Sequence, residues 1–379
     1  MVKANNSALM RQTNQRMIVD LIRKKPRSRA DITRATGLSR AAVTLLTNSL
    51  IEQGIIVNGG AVRSETGRRP TLLHLNSRAF ISIGVDLSRE GCEILLSDFS
   101  GNEIFCKKIG LLESADETVA FLCDEITLAL KEFGQGATAL GVCVCAPGPL
   151  DPNKGVIFNP PGLPLFHGYD IKGAFSSRLS LPIYLEKDTN ALAIAEKNRS
   201  DIHGDMLFLL ADHGIGCSIV KDGRLFTGRN GMGGELGHTT VDVNGDTCTC
   251  GNVGCAELYA SIPATVRRAR ASSWEELIRS ARNGEREATE ALREQGRILS
   301  ALSVGAVNLF EPDVIVLGGR LTEADFILNE MIEDALARSA FSRKVHEFRV
   351  CSSSLGENAR AYAAAMTALE HYFNGEIDI

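Results

Sequence analysis

Residues 233–257 read GGELGHTTVDVNGDTCTCGNVGCAE. One imidazole, His238, and three thiols, Cys248, Cys250 and Cys255, fall close together in this stretch. Four nitrogen and sulfur donors with no open position make a closed tetrahedral set suited to structural zinc. The alternative reading leaves them as unligated core cysteines. Glu235 lies three positions before His238, and Glu257 two positions after Cys255. A zinc-stapled loop would hold both carboxylates fixed, as bidentate hydrogen bonding to vicinal sugar hydroxyls requires. If His238 gives one ring nitrogen to the metal, the other is available to donate to a ligand hydroxyl.

Around this stretch the apolar pattern alternates between strands and helices. Strands are predicted over Ile81–Leu87, Cys92–Phe99 and Glu103–Ile109, then a helix over Glu117–Phe133 and a strand over Ala139–Cys145 before a Pro-Gly-Pro loop. A strand over Pro182–Glu186 delivers Lys187-Asp188-Thr189-Asn190 to a helix that runs to about Asn198. A second round follows: strands Met206–Leu210 and Ile215–Lys221, a long helix over Glu287–Leu309, the strand Val314–Leu317 and a further helix. Two hairpin-then-alternating halves predict a pair of related α/β lobes facing each other across a cleft. Asp188 stands at a strand end, where open α/β sheets place ligand-binding residues. In a kinase it would take the proton from the attacking hydroxyl.

The first 75 residues read differently. Met17, Ile18, Leu21 and Ile22 repeat at helical spacing in a first helix over Met10–Arg23, which Pro26 ends. Ser28 caps a second helix, Ala30–Thr36, Gly37 and Leu38 turn the chain, and Ser39 caps a third, Arg40–Gln53. This is the helix-turn-helix pattern, whose second helix enters the major groove N-terminus first. Ser39, Arg40, Ala41, Thr44 and Asn48 are its groove-facing candidates, while Val43, Leu46 and Leu50 belong to the small core. Two strands, Ile55–Val57 and Thr71–Leu75, enclose a loop with Gly67-Arg68-Arg69-Pro70, a wing that would place Arg68 and Arg69 in a minor groove.

Charge supports this division. Residues 1–75 carry 13 Lys and Arg against 4 Asp and Glu, a local charge of +9, whereas the whole chain of 379 residues carries −5. A basic head on an acidic body suggests a polyanion-binding module joined to something of another kind. A hydrophobic fraction of 44% with 23% charged residues excludes disordered and collagen-like chains. With no membrane-spanning run and no signal-peptide stretch, the expected location is the cytoplasm, where ten cysteines are not expected to form a disulfide framework.

These motifs together resemble the ROK family (repressors, open reading frames and sugar kinases), and in particular its winged-helix repressors. The resemblance runs from Arg11 and Asn14 to the GENARAYAAAM helix starting near Gly356. It takes in GRRP, the APGP loop, the Asp188 motif, GGELGH, the cysteine cluster and EPDVIVLGG in family order. It implies a winged helix-turn-helix at residues 1–75 and an actin-like, ribonuclease-H-like fold in two lobes. The first lobe would take residues 76–187 with the final helix, 357–379, and the second 188–356. It implies zinc on His238, Cys248, Cys250 and Cys255, and sugar contacts from Asp188, Glu235, His238 and Glu257 in the interlobe cleft. It further implies a homodimer or homotetramer on double-stranded, near-palindromic operator DNA, responding to a sugar or sugar phosphate, with no membrane partner.

The kinase pattern breaks twice. Family kinases carry Asp-x-Gly-Gly-Thr at the first hairpin, where glycine amides approach ATP phosphates. This chain reads Asp86-Leu87-Ser88-Arg89-Glu90, and the second hairpin, Gly-Thr-Gly in kinases, reads Asp212-His213-Gly214. Both changes add acid where phosphate oxygens would lie. Lys187 replaces the asparagine that usually precedes the aspartate, which favours an anionic ligand such as a sugar phosphate. The expectation is a sugar-responsive transcriptional repressor that does not use ATP and Mg2+. The alternative is an ATP-dependent sugar kinase with an appended DNA-binding head and Asp188 as its base.

Overall fold

A computed structural model of the chain describes residues 7–61, 71–160, 162–200, 202, 204–344, 347–356 and 358–375. The wing residues Gly67-Arg68-Arg69-Pro70 lie outside the described residues. The chain divides into two compact units. One comprises Met1–Cys145, Asp170–Leu185 and Ala364–Ile379; the other comprises Ala146–Tyr169 and Glu186–Ala363.

The first unit opens with helices α1 (Ser7–Lys24), α2 (Arg29–Thr36) and α3 (Arg40–Glu52). Ser28 and Asp31 form a reciprocal capping box at the start of α2, and the Ser39 hydroxyl accepts from the Ala42 N–H at the start of α3. Each such cap is worth about 1 kcal/mol. Ile18, Val19, Ile22, Ile32, Val43 and Leu50 form the core between the helices. Met17, expected on the apolar face, is instead 41% exposed, and Val19 takes its place. Ile18, Val19 and Ile22 share one side of the helix, and Met17 lies roughly 150° round the axis from it. The segment closes with a three-stranded sheet of β1 (Arg27–Ser28), β3 (Thr71–Leu75) and β2 (Ile56–Ala61), in that order. Strand β1 was not expected; two residues are too short to show a period, and pairing with Leu72 and Leu73 of β3 creates it.

The rest of this unit is built on a five-stranded sheet ordered β11-β7-β4-β5-β6. Its strands are β4 (Phe80–Ser88), β5 (Gly91–Asp98), β6 (Glu103–Ile109), β7 (Thr138–Ala146) and β11 (Ile183–Lys187). Helix α4 (Ala115–Phe133) starts at the Ser114 cap, two residues earlier than the sequence suggested. Between β7 and β11 the chain passes through the short strands β8 (Leu150–Asp151) and β9 (Val156–Ile157) of the second unit and β10 (Tyr169–Asp170), and helix α5 (Ile171–Ser176) is back in the first.

The second unit holds helix α6 (Asp188–Arg199) and a sheet ordered β14-β13-β12-β15-β16. Those strands are β12 (Met206–Ala211), β13 (Ile215–Lys221), β14 (Arg224–Leu225), β15 (Val314–Gly318) and β16 (Arg349–Ser352). It repeats the arrangement of the first sheet: an antiparallel hairpin (β4–β5, β12–β13) whose first strand runs parallel to a later one (β7, β15). Helices α7 (Glu257–Ala260), α8 (Ile262–Ala269), α9 (Trp274–Arg282), α10 (Arg286–Phe310) and α11 (Asp325–Ser339) follow. A core around Trp274, Leu292, Leu299, Leu317 and Leu328 packs them on the sheet. The last helix, α12 (Ala359–Phe373), starts in the second unit and ends in the first. Among the described residues, no helix is long and apolar enough to cross a membrane.

Candidate functional site

The exposed face of α3 carries Ser39, Arg40, Ala41, Thr44 and Asn48, as the periodicity required, with Val43, Leu46 and Leu50 turned inward. Three of these side chains already have structural work. The Ser39 hydroxyl caps α3, and the Thr44 hydroxyl donates to the Arg40 carbonyl at 2.8 Å. Asn48 accepts at 2.9 Å from Arg29 of α2, whose Nε also donates to Thr47 at 2.9 Å. Arg29 thus fixes the far end of the exposed stripe, a role that sequence reasoning missed because the two helices must first dock. Leu45, 65% exposed, lies on the same face. Its place one step beyond Thr44 was legible, and an apolar side chain there can contact a thymine methyl group.

The second unit collects the expected ligand-binding residues. Asp188 is the first residue of α6, at the end of β11, and its Oδ1 accepts from the Thr189 N–H at 2.7 Å. Burial pushes the Asp188 carboxyl above the ordinary aspartate value, against the opposing charges of Arg360 and Lys187. Lys187, expected to favour an anionic ligand, donates to Glu235 Oε1 at 2.7 Å. A Cβ on Gly148 would sit 3.9 Å from both Glu235 Oε1 and the Lys187 Cδ, so the APGP loop lies against the pair.

Glu257 begins α7 and reaches back to the β12–β13 hairpin, where its Oε2 accepts from the Ile215 N–H at 3.0 Å. A Cβ on Gly214 would come within 2.5 Å of that oxygen, so this close approach needs glycine. The same hairpin places Asp212, which pairs with Arg360 of α12 at 2.7 Å. Arg360 was not anticipated. The charges of Arg360, Lys187 and Asp212 all act on Asp188, and Lys187 brings in Glu235. Glu257 joins through the hairpin backbone.

The hairpin after β4 shows how the other phosphate loop is used. The Ser88 hydroxyl donates to the Gly91 carbonyl at 3.0 Å, closing the turn on itself.

His238, Cys248, Cys250 and Cys255 come together as the spacing required. Their ligand atoms all lie within 4.8 Å of one another. Cys248 Sγ is 3.7 Å from His238 Nδ1, and Cys250 Sγ is 3.7 Å from Cys255 Sγ. Both values match the edges of a tetrahedron with metal–ligand bonds of about 2.0–2.3 Å, and the sulfur separation is far too long for a disulfide. Nδ1 is the nitrogen on the thiol side, leaving Nε2 for another partner. The Asn252 N–H and the neighbouring thiols hold Cys250 below the ordinary thiol range, whereas burial and those thiols push Cys255 up to about 12. A cation among the four side chains would favour the deprotonated thiols as ligands. The Cys248 N–H bonds to the Asn252 carbonyl and the Asn252 amide to the His238 carbonyl, and at Gly254 (φ 68°) a Cβ would collide with the Asp242 carbonyl. These contacts fix a loop whose four side chains could hold a metal ion.

Comparison with known proteins identifies the family. The xylose repressor of Bacillus spizizenii (strain ATCC 23059 / NRRL B-14472 / W23) is 28% identical over 378 residues, covering 97% of this chain and 98% of that protein. The crystal structure of a ROK family transcriptional regulator, a homologue of the Escherichia coli MLC protein, matches with a TM-score of 0.83 at 26% identity, covering 97% of each chain. A ROK family glucokinase from Streptomyces griseus, solved with glucose and AMPPNP, matches with a TM-score of 0.65 at 25% identity. It covers 76% of this chain and 99% of the glucokinase. The ROK family model itself matches residues 82–371. With that span matched, the chain belongs to the ROK family.

Proposed function

We infer that this protein is a sugar-responsive transcriptional repressor. The observation that carries the reading is the Asp212–Arg360 ion pair on the β12–β13 hairpin. A carboxylate and its own arginine occupy the hairpin where a kinase presents Gly-Thr-Gly to phosphate, so the ligand-binding body is not built to turn over ATP and Mg2+. The same chain keeps a helix-turn-helix head, and its repressor relatives match over nearly their whole length.

In this reading residues 1–75 are the DNA-binding domain. Ser39, Arg40, Ala41, Thr44 and Asn48 face the major groove of operator DNA, and Arg68 and Arg69 of the wing face the minor groove. Residues 76–187 with 357–379, and 188–356, are the two lobes. Asp188, Glu235, His238 and Glu257 bind the hydroxyls of a sugar or sugar phosphate. His238, Cys248, Cys250 and Cys255 hold a structural zinc, whose role is to fix the loop carrying Glu235 and Glu257. A homodimer or homotetramer in the cytoplasm matches two half-sites of an operator.

The test is fluorescence anisotropy with DNA from upstream of the protein's own coding region, titrated against free and phosphorylated sugars including D-xylose. Tight, salt-sensitive binding weakened by one sugar is expected, and Arg40→Ala should weaken it and reduce its salt dependence. Salt-insensitive binding unaffected by Arg40→Ala would overturn the reading. The retained Asp188 supports one second reading, a sugar kinase with a DNA-binding head. Sugar-dependent ADP release that disappears in Asp188→Asn would establish it.

A further inference from the structure

Helix α12 touches the machinery at both of its ends. Arg360, in its first turn, pairs with Asp212 at 2.7 Å, and its charge opposes the rise in the Asp188 pKa. Ten residues later, about 15 Å along the axis, Glu370 accepts from Arg23 of α1 at 2.6 Å. The Arg23 guanidinium also lies 4.2 Å over the Phe373 ring, which stacks on Phe99 at 5.8 Å. Arg23 is itself well buried and further bonded to Asp20 at 2.9 Å, so its position is fixed on the α1 side as well.

Between these ends the helix is a close-packed rod. Ala361 and every residue from Ala363 to Leu369 are buried. Burial on all sides, with alanine dominating, lets neighbouring elements pack against the helix backbone, and such interiors transmit displacement rather than absorb it. Helix α1 in turn reaches the recognition helix: Arg11 donates to Ser49 of α3 at 3.0 Å, and Gln15 to the same hydroxyl at 3.3 Å.

We propose that Arg360 belongs to the effector site and that α12 carries the state of that site to the DNA-binding head through Glu370, Phe373 and Arg23. The proposal rests on the repressor reading. A hydroxyl-bearing ligand on Asp188 changes the field in which Arg360 divides its interaction between Asp188 and Asp212. The arginine and the first turn of α12 respond, and the far end shifts against Arg23. Arg23 and Glu370 are positioning residues, because they contact neither sugar nor DNA. A change in affinity at one site then appears at the other as a reciprocal coupling, typically about 5- to 150-fold.

Two measurements on the full-length protein test this. The first needs neither sugar nor DNA: hydrogen–deuterium exchange of Asp212→Asn against wild type, with thermal midpoints compared to confirm folding. Faster exchange both at the start of α12 and in residues 16–24 of α1 is expected. Altered exchange at the start of α12 with α1 unchanged would overturn the proposal. The second compares the operator-fragment Kd with and without D-xylose, or whichever sugar of the panel acts on wild type, in Glu370→Gln and Arg23→Lys. Glu370→Gln should retain both binding activities while the ratio of the two Kd values falls to within twofold of one, and Arg23→Lys should preserve most of the wild-type ratio. A wild-type ratio in Glu370→Gln would refute the proposed route. If no sugar changes DNA binding in wild type, the repressor reading itself fails, and the exchange measurement still decides whether α12 links the two ends.

Discussion

The Lys187 ammonium and the Glu235 carboxylate are 2.7 Å apart but unequally placed, with 7% of the lysine side chain exposed against 34% of the glutamate. Removing either partner therefore leaves a different residue behind. Glu235→Gln strands a buried cation, a change that costs about 3–5 kcal/mol where a buried pair is broken. Lys187→Met leaves a partly solvated carboxylate and is expected to cost only about 1 kcal/mol. Urea denaturation of both variants checks the order. Equal losses, or a larger loss for Lys187→Met, would show that the lysine is better solvated than the structure indicates.

Asp188 gives a pH dependence with a definite sign. Its carboxyl is raised above the ordinary value of 3.8 by burial, so the folded state binds its proton more tightly than the unfolded state. The fold gains from this group below 3.8 and loses that gain as pH rises through the raised value. Asp188→Asn should therefore stabilise the protein at neutral pH and change little in acid. If Asp188 accepts from a ligand hydroxyl as proposed, sugar affinity should weaken on acidification with a midpoint above 3.8. Calorimetric titration at several pH values tests both, and an identical pH profile in Asp188→Asn would remove this residue from the site.

The proposed metal site predicts one tightly held ion per chain. Native mass spectrometry should find a single zinc in the wild-type protein and none in Cys255→Ser. Loss of the metal should lower the thermal midpoint and weaken sugar binding, because the loop that positions Glu235 and Glu257 loses its anchor. Metal-free protein with unchanged stability and sugar affinity would argue that the cysteines are only packed.

Arg29 supplies a test of the DNA-facing surface. Arg29→Ala removes the bonds to Thr47 and Asn48, each worth about 0.5–1.5 kcal/mol in a neutral context and more for a charged donor. Operator affinity should fall because the Asn48 side chain is no longer held. Arg40→Ala should instead reduce the slope of log affinity against log salt by about one if the guanidinium meets a phosphate. Two variants with the same salt slope and the same affinity loss would show that Arg29 contacts DNA directly.

Much of the architecture was readable in the chain. The caps Ser28 and Ser39 each lie three residues before the N–H they satisfy, and the long helix α10 extends one residue beyond its expected limits at each end. Met17 shows where this reading failed: two apolar neighbours compete for one face, and packing decided for Val19. Lys187 shows a second limit. Its charge does not reveal that its partner in the fold is Glu235, 48 positions away.

The sequence by itself determined the capped helices of the head, the two hairpin-and-crossover halves and the clustering of His238, Cys248, Cys250 and Cys255. All of these are expressed as spacings over a turn, a strand or a single loop, where local geometry follows from the chain. Only the tertiary structure decided that Asp212 would pair with Arg360, 148 positions away, and Arg23 with Glu370, 347 positions away. No local period encodes such a pairing. It exists because the whole core must pack before α12 can present a charged residue at each end.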